Sequence, residues 1–587
     1  MSTFGVWAPA AAAVELELGG ERRAMEPAGG GWYRVEAPVE ASSDYRFVLD
    51  GDPLPDPRSP SQPAGPHGPS RTVDHEDFKW SDVAWKGIHL PSAVVYELHV
   101  GTFTPEGTFD GVISRLDHLV DLGIDAVELL PVAEFPGDRG WGYDGVDLFA
   151  PHHSYGGPDG LKRLVDACHE RGLAVVMDVV YNHLGPAGNY LTRFGPYFTD
   201  RYATPWGSAV NLDGPGSDEV RRFFVDNAVM WLRDYHMDGL RLDAVHGFMD
   251  TSAVHFLEQL GQRVEQLAAA LGRSLFLVAE SDLNDPRVVK RREVGGYGMD
   301  AQWSDDFHHA LHAVLTGERD GYYRDFGTMA HLATALEQAY VYAGDHSAYR
   351  ERAHGRPIGD LPAHRFLGYL QNHDQVGNRA VGERSSALVS PGRLKVGAAL
   401  VMTAPFIPML FQGEEWGAST PFQYFTDHDD PALGQAVSEG RRREFATFGW
   451  DPEEVPDPQD PGTFARSRLD WSELDHESHQ EILSWYRRLI ALRRDEPALR
   501  SGFAGLEVTY DEERRWMVVR RDSLLVAGNV GPDTVRLPLA GEVVLASDRG
   551  VAADGEAIAL PPDSVAIVRA PGPQDGFTAA VVGKPRA

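Results

Sequence analysis

Cysteine is almost absent from this chain. A single one, Cys168, among 587 residues rules out an internal disulfide framework. Its place in the helical pattern "LKRLVDACHE" marks it as a small packed hydrophobe, not a nucleophile. Basic residues are also scarce: 54 Lys and Arg against 87 Asp and Glu leave a formal net charge of −33. A surface of that sign repels nucleic-acid backbones and anionic membranes, so neither is expected as a partner, and it suits a neutral substrate better than a polyanion. Long apolar runs are missing. The longest, "VGAALVMTAPFIPMLF", spans 16 residues (396–411), carries Thr403 and is broken by Pro405 and Pro408, which is short for a membrane span. The opening "MSTFGVWAPAAAAVELEL" has no basic residue ahead of its apolar ones and does not read as a secretory leader. The expectation is a cytoplasmic protein of enzyme size, with two to four domains.

What is present falls into three stretches. Residues 1–88 read as all-β: "AVELEL" and "YRFVLDG" are short alternating strands between Gly and Pro turns, and "GDPLPDPRSPSQPAGPHGPS" (51–70) reads as a long loop. This suggests a small β-sandwich, immunoglobulin-like and similar to a carbohydrate-binding module. From about residue 89 to 498, strand and helix patterns alternate. Strands are expected in "AVVYELHV", "IDAVELLP", "LAVVMDVV", "MDGLRLDAV", "LFLVAE", "MDAQW", "RFLGYLQN" and "IPMLFQG". "FDGVISRLDHLVDLG" reads as one amphipathic helix ended by Gly123, and "PDGLKRLVDACHERG" as a helix with Pro158 at its start and Gly172 after its end. Eight such units predict an α/β fold, a (β/α)8 TIM barrel. A doubly wound sheet is the alternative, but no G-x-G-x-x-G follows the first strand. Residues 499–587 return to β pattern and predict a C-terminal β-sandwich with a frayed tail after about 571.

In such barrels chemistry sits at the C-terminal strand ends. The third strand ends in Asp178, followed by Asn182 and His183; the fourth in Arg241 and Asp243; the fifth in Glu280; the seventh in His373 and Asp374; the eighth in "FQGEEWG". A lone Asp after a strand is most often a turn or cap residue. Five strand ends carrying carboxylates toward one mouth is a different matter. No serine triad, reactive cysteine or phosphate loop accompanies them. Glycoside hydrolysis is the chemistry that needs carboxylates on opposing strand ends: one attacks the anomeric carbon and a protonated one donates to the leaving oxygen. On this reading Asp243 attacks, held ionised and aimed by Arg241, Glu280 is the acid, and Asp374 stabilises the oxocarbenium-like state.

The segments "DVVYNH", "GLRLDAVH", "VAES" and "QNHDQ" resemble, in order and spacing, the four signature segments of the α-amylase family of glycoside hydrolases and transglycosylases. The resemblance implies that Asp243 is the nucleophile, Glu280 the acid/base and Asp374 the transition-state stabiliser. It implies further that His183, Arg241 and His373 contact the sugar at the cleavage site, that Tyr143 stacks on it, and that Asp178 is a structural acid nearby. Some relatives bind calcium near 178–183, but this chain shows no convincing oxygen cluster there, so neither metal nor other cofactor is expected.

An N-terminal β-sandwich ahead of the barrel is similar to the arrangement in branching enzymes, isoamylase-type debranching enzymes and maltooligosyltrehalose trehalohydrolases. "YELHVGTFTPEGTFDG", "RGWGYDGV", "LQNHDQVGNRA", "PMLFQGEEWGASTPFQYFTDH" and "VPDPQDPGTFARSRLDW" resemble the last of these. A branching enzyme would usually show Ser-His-Asp-Glu where this chain has Asn372, His373, Asp374 and Gln375. The resemblance implies retaining hydrolysis of the α-1,4 bond between the maltooligosyl part and the terminal trehalose of maltooligosyl trehalose. It implies a monomer coupled in function to a maltooligosyl trehalose synthase. The loop after the eighth strand, with Phe422, Tyr424, Phe425, Asp427 and His428, is a candidate for shaping the leaving-group side. A branching transglycosylase and a non-catalytic glucan-binding protein are the other readings.

Overall fold

Eight parallel strands close on themselves. They are β1 (Val95–Leu98), β2 (Ala126–Leu129), β3 (Ala174–Val179), β4 (Gly239–Leu242), β5 (Phe276–Ala279), β6 (Ala301–Trp303), β7 (Phe366–Tyr369) and β8 (Ile407–Phe411). All eight lie inside the expected segments, and β8 pairs back onto β1 to complete the barrel. This computed structural model describes residues 2–39, 42–447 and 453–571; the expected frayed tail lies outside them.

Strand alternation sorts the side chains. Val95, Ala126, Ala174, Val176, Phe276, Val278, Ala301, Trp303, Leu367, Tyr369, Ile407 and Met409 pack together inside the barrel. Their alternates, such as Tyr96, Leu98, Val127, Leu129 and Val175, pack outward into the core shared with the helices. Two positions beyond Val95, Ala126, Val176 and Gly239, on the same inward face, stand Glu97, Glu128, Asp178 and Arg241. Period two thus places a charged layer directly above an apolar one. Gly239 has no side chain for a reason: a Cβ there would come within 2.4 Å of the Phe276 ring.

The helices follow the expected order with one correction. The segment expected as a single helix after β1 is two, Phe109–Ile113 and Leu116–Leu122. Ser114 turns its hydroxyl back onto the Gly111 carbonyl at 2.6 Å, and Arg115, at φ −115° and ψ 1°, leaves helical geometry. Gly123 then closes the second piece in the left-handed conformation.

Three excursions at the C-terminal end of the barrel carry β-hairpins. After β2, Ala133–Glu134 pairs with Asp147–Pro151. After β3, Phe198–Thr204 pairs with Gly207–Val210. Between β6 and β7, His346–Ser347 pairs with Arg352–Ala353. At the other end, Trp85, Ile88 and Leu90 pack under the barrel interior, and Trp85 donates to Asp238 at 2.7 Å.

The N-terminal stretch forms two antiparallel sheets. One holds Ser2–Trp7, Trp32–Ala37 and Glu26–Gly29; the other holds Glu21–Ala24, Val14–Leu18, Asp44–Leu49, Asp52–Leu54 and Ser70–Arg71. The Pro/Gly-rich segment between the last two is a loop with buried polar residues, Asp56, Ser59 and Gln62 among them. After the long helix Glu477–Asp495, a five-stranded and a three-stranded sheet enclose Leu525, Ala527, Leu537, Ile558 and Val568.

Candidate active site

Arg241 is fully buried and is the hub of the barrel mouth. Its Nη1 donates to Asp178 Oδ2 at 2.7 Å and to Asp243 Oδ1 at 2.9 Å. Its Nη2 lies 3.0 Å from Glu280 Oε2, and its guanidinium carbon stands 4.3 Å from the centre of the Trp303 ring. Asp178, Arg241 and Glu280 come from the adjacent strand ends of β3, β4 and β5, and Asp243 follows β4 on the same face as Arg241. The chain turns sharply after Asp243: Ala244 takes a left-handed φ of 39°, and its N–H donates to Glu280 Oε2 at 2.7 Å. That turn joins the two carboxylates through the backbone as well as through Arg241.

A second set of contacts enters from β1, β2 and β7. Tyr143 donates its hydroxyl proton to Asp178 Oδ2 at 2.6 Å and lies 2.7 Å from His373 Nε2. His373 Nδ1 meets Glu97 Oε1 at 2.5 Å, while the His373 main-chain N–H donates to Glu97 Oε2 at 3.0 Å. Asp374 follows at the start of a short helix, its N–H capped by the Asn372 side chain at 2.9 Å.

Above these groups opens a cavity of about 610 Å³. Asp243, Glu280 and Asp374 line it together with Tyr143, His183 and Tyr424. Burial pushes the Asp243 carboxyl up to about 6, against the pull of Arg241. Burial pushes Glu280 higher, to about 7, with Asp243 and Asp374 adding to it and Arg241 opposing. Arg241 draws the Asp243 carboxyl down as expected, but taking it out of water outweighs the guanidinium and leaves it above its ordinary value. Both carboxyls stand above the ordinary carboxylate range, and close as they are they titrate as a pair.

The Alpha amylase, catalytic domain, family pattern matches residues 71–201, and a domain of unknown function, DUF3459, matches residues 501–567. The malto-oligosyltrehalose trehalohydrolase of Arthrobacter ramosus is 54% identical over 574 residues, covering 96% of this chain and 99% of its own. That of Mycobacterium tuberculosis (strain ATCC 25618 / H37Rv) is 49% identical, covering 98% and 100%. The chain belongs to the malto-oligosyltrehalose trehalohydrolase family. A crystal structure of a Salmonella typhimurium protein, assigned as an alpha amylase, superposes with a TM-score of 0.90 at 39% identity, covering 97% of each chain.

Not every residue expected at the substrate lines this cavity. Arg241 and His373 are fully buried and do not form the cavity wall; they meet it through Asp243, Tyr143 and Asp374. His183 does reach the wall, donating from Nε2 to the Tyr143 carbonyl at 3.0 Å and stacking on Trp206 at 5.4 Å. In the loop after β8 only Tyr424 lines the cavity. Phe422 and Phe425 are fully buried, Phe422 stacked on Trp141 at 5.1 Å. Asp427 is turned to the Arg139 guanidinium and to the Asp138 N–H at 2.9 Å, and His428 is buried, its N–H on Gln459 Oε1 at 3.1 Å. Apolar packing consumes Phe422 and Phe425, so Phe422 fastens this loop to the β2 excursion through Trp141. The strand-eight carboxylates also leave the mouth: Glu414 accepts from Tyr486 at 2.9 Å and Glu415 from Tyr96 at 3.0 Å.

Other cavity residues escape a strand-end reading. Trp206 and Tyr349, 41% and 43% exposed, sit in the turns of two of the hairpins; nothing in the sequence marks a hairpin tip that folds back over a mouth. Asp282 and Arg350 pair at 3.0 Å on the same wall. Asp305 follows β6, and the strand-end rule extended to that strand reaches it; Tyr369 donates to it at 2.5 Å, and burial beside Glu280 pushes it up to about 8. Among the described residues, one group has metal-ligand types close together, Glu134, His152 and His153. Its members already hydrogen-bond one another and the loop: His153 Nδ1 to Glu134 at 2.7 Å, and His152 Nε2 to the Gly137 carbonyl at 3.2 Å.

Proposed function

We propose that this chain hydrolyses the α-1,4 bond between the maltooligosyl part and the terminal trehalose of maltooligosyl trehalose, with retention, and that Asp243, Glu280 and Asp374 carry the reaction. The observation that supports this reading most directly is the sharing of Arg241. Carboxylate oxygens on two nitrogens of one guanidinium, at 2.9 and 3.0 Å, suit the separation of about 5 Å that a retaining pair needs. Asp243, held on the Arg241 guanidinium at 2.9 Å, attacks the anomeric carbon. Glu280, holding the proton, passes it to the leaving oxygen, so trehalose departs neutral. Glu280, now ionised, takes a proton from water, which displaces Asp243 and leaves the new reducing end in the α form. Asp374, at the cavity wall beside them, stabilises the positive charge that develops on the sugar ring.

The residue divisions 1–88, 89–498 and 499–587 belong to the same proposal, as do a cytoplasmic location, a monomeric state and coupling to a maltooligosyl trehalose synthase that supplies the substrate. No helix among the described residues is long and apolar enough to cross a membrane. The decisive experiment follows trehalose and reducing ends from maltotriosyl trehalose and maltopentaose, each at equal low concentration. The expected kcat/KM is roughly ten- to a thousandfold higher for maltotriosyl trehalose, because polar groups placed for the second trehalose ring stay unpaired with a linear glucan. Equal rates would favour a general α-amylase-like hydrolase. New α-1,6 linkages with little hydrolysis would favour a branching enzyme.

A further inference from the structure

Beneath the three carboxylates lies a buried polar layer that their chemistry does not explain. Glu97 on β1 and Glu128 on β2 stand directly opposite each other, both almost completely buried. Glu97 spends both oxygens on one residue, His373: one on its main-chain N–H, the other on its ring. It thus reaches across the barrel from β1 to the segment after β7 that carries Asp374.

The hydrogen-bond polarities decide the state of that ring. Glu97 as a carboxylate can only accept, so His373 Nδ1 carries a proton. At the other nitrogen stands the Tyr143 hydroxyl, 2.7 Å away. Tyr143 has one proton, and Asp178 Oδ2 takes it at 2.6 Å while also accepting from Arg241 at 2.7 Å. The Tyr143 oxygen is therefore left to accept, and His373 Nε2 must carry a proton too. Both nitrogens donate, which is an imidazolium. A continuous chain runs from Glu97 through His373, Tyr143, Asp178 and Arg241 to Asp243.

The charges facing His373 agree with this. Burial opposes its charge, but Asp374 and Glu97 raise it to about 9, with Arg241 working the other way. Glu128, buried against Glu97 and with Oε2 unpartnered, is pushed well above the carboxylate range and stays neutral. His99 is held down to about 4 by burial, with His373 adding to the effect, and is neutral as well. Asp374 Oδ1 lies 3.4 Å from His373 Nε2, and His373 draws the Asp243 carboxyl down against its burial.

We propose that Glu97 is a positioning residue for the reaction, which holds His373 as an imidazolium and through it favours the charged form of Asp243 and fixes the place of Asp374. This rests on the catalytic assignment above and adds a residue to it. The test compares Glu97→Gln and Glu97→Asp with the parent enzyme. Gln keeps the shape and can still accept from the His373 main chain, but its amide then presents a donor to Nδ1, which forces the ring to give up that proton.

Two readouts separate this proposal from the catalytic assignment. In enzyme labelled with [13Cε1]histidine, the resonance missing from a His373→Gln sample identifies His373 without any substrate. Its titration midpoint is expected near 9 in the parent and below the ordinary value of about 6.5 in Glu97→Gln. In kinetics on maltotriosyl trehalose, Glu97→Gln is expected to lower kcat by about ten- to a hundredfold, with KM changed less than about threefold. Its acid limb in kcat/KM should move to higher pH, since losing a neighbouring cation raises a carboxylate. Glu97→Asp should recover part of the rate and return the limb toward the parent position. A Glu97→Gln enzyme whose His373 still titrates near 9 overturns the proposal. So does one whose pH profile superimposes on the parent's with only a lowered Tm, since Glu97 would then be a structural residue. If His373 titrates as stated but no variant, nor the parent, releases trehalose, the imidazolium stands and the substrate assignment falls.

Discussion

Two buried arginines stand at opposite ends of the barrel in opposite company. Arg241, at the C-terminal mouth, faces Asp178, Asp243 and Glu280. Arg493, at the floor, donates only to backbone carbonyls ahead of β8: Met402 at 2.9 Å, Ala404 at 3.0 Å and Phe406 at 2.5 Å. Arg521 of the C-terminal sheets joins it there, on the Thr403 carbonyl at 2.6 Å. Burial, with Arg521 adding to it, depresses Arg493 to about 9. At Arg241 burial is outweighed by Asp178, Tyr143, Glu280 and Asp243, and the group stays well above its ordinary value. Carbonyls satisfy a guanidinium's hydrogen bonds without balancing its charge, so Arg493 ties the last helix to the barrel floor and does no more. Carboxylates balance the charge and are themselves held in register by it, which is what a reacting pair requires.

The contrast is broken most severely at the mouth. Asp243→Asn and Glu280→Gln are each expected to lower kcat by at least about a thousandfold, because one removes the nucleophile and the other the proton donor. Thermal unfolding should show no loss of stability, since burial already disfavours the charged form of each carboxyl in the folded protein. Near-normal trehalose release from either variant, purified free of host enzyme, would refute the assignment. Arg241→Lys comes next, at about a hundredfold or more, because an ammonium lacks the planar fork that meets several carboxylates at once. Full activity there would mean that the shared guanidinium is incidental.

At the floor the same kind of change should act on stability alone. Arg493→Met leaves three buried carbonyls unpaired and is expected to cost roughly 2–5 kcal/mol, seen as a thermal midpoint lowered by several degrees. Its kcat at 25 °C should stay within about twofold of the parent, as distant sites act independently. A large kcat loss in fully folded protein would erase the distinction between the two ends. The pH dependence sharpens the picture at the mouth. Reaction needs Asp243 ionised and Glu280 protonated, so kcat/KM should fall as pH drops below about 6 and again as it rises above about 7. A flat profile from 5 to 8 would contradict the need for one ionised and one protonated carboxyl in the pair. The smallest effect is expected from Asp427→Asn, which loosens the contact with Arg139 but removes nothing from the cavity wall. Its kcat should change by less than about threefold, as partly exposed ion pairs contribute little.

Local sequence carried the barrel because its signals are local. Alternation in "AVVYELHV" or "LAVVMDVV" and the 3.6-residue pattern of "PDGLKRLVDACHERG" are properties of short segments, and eight repeats of the unit leave few ways to bury their apolar faces. The same alternation put Arg241 and Asp243 on one face, and strand ends located Glu280 and Asp374. Where side chains compete for partners, sequence was silent. That Phe422 stacks on Trp141 instead of facing the cavity depends on the β2 excursion folding against the loop after β8, residues almost three hundred positions apart. That Glu414 turns to Tyr486 depends on where the last helix packs, and that Glu415 turns to Tyr96 depends on the closure of β8 against β1. That Trp206 and Tyr349 arrive at one cavity depends on two hairpins curling over it. The rise of both carboxyls above their ordinary range is decided the same way. The residue types place a guanidinium beside a carboxylate, but only the depth of burial determines that desolvation outweighs Arg241 at Asp243 and Glu280. Charge, hydrogen-bond direction and exposure at this site are set by every element that converges there, and no single segment contains them.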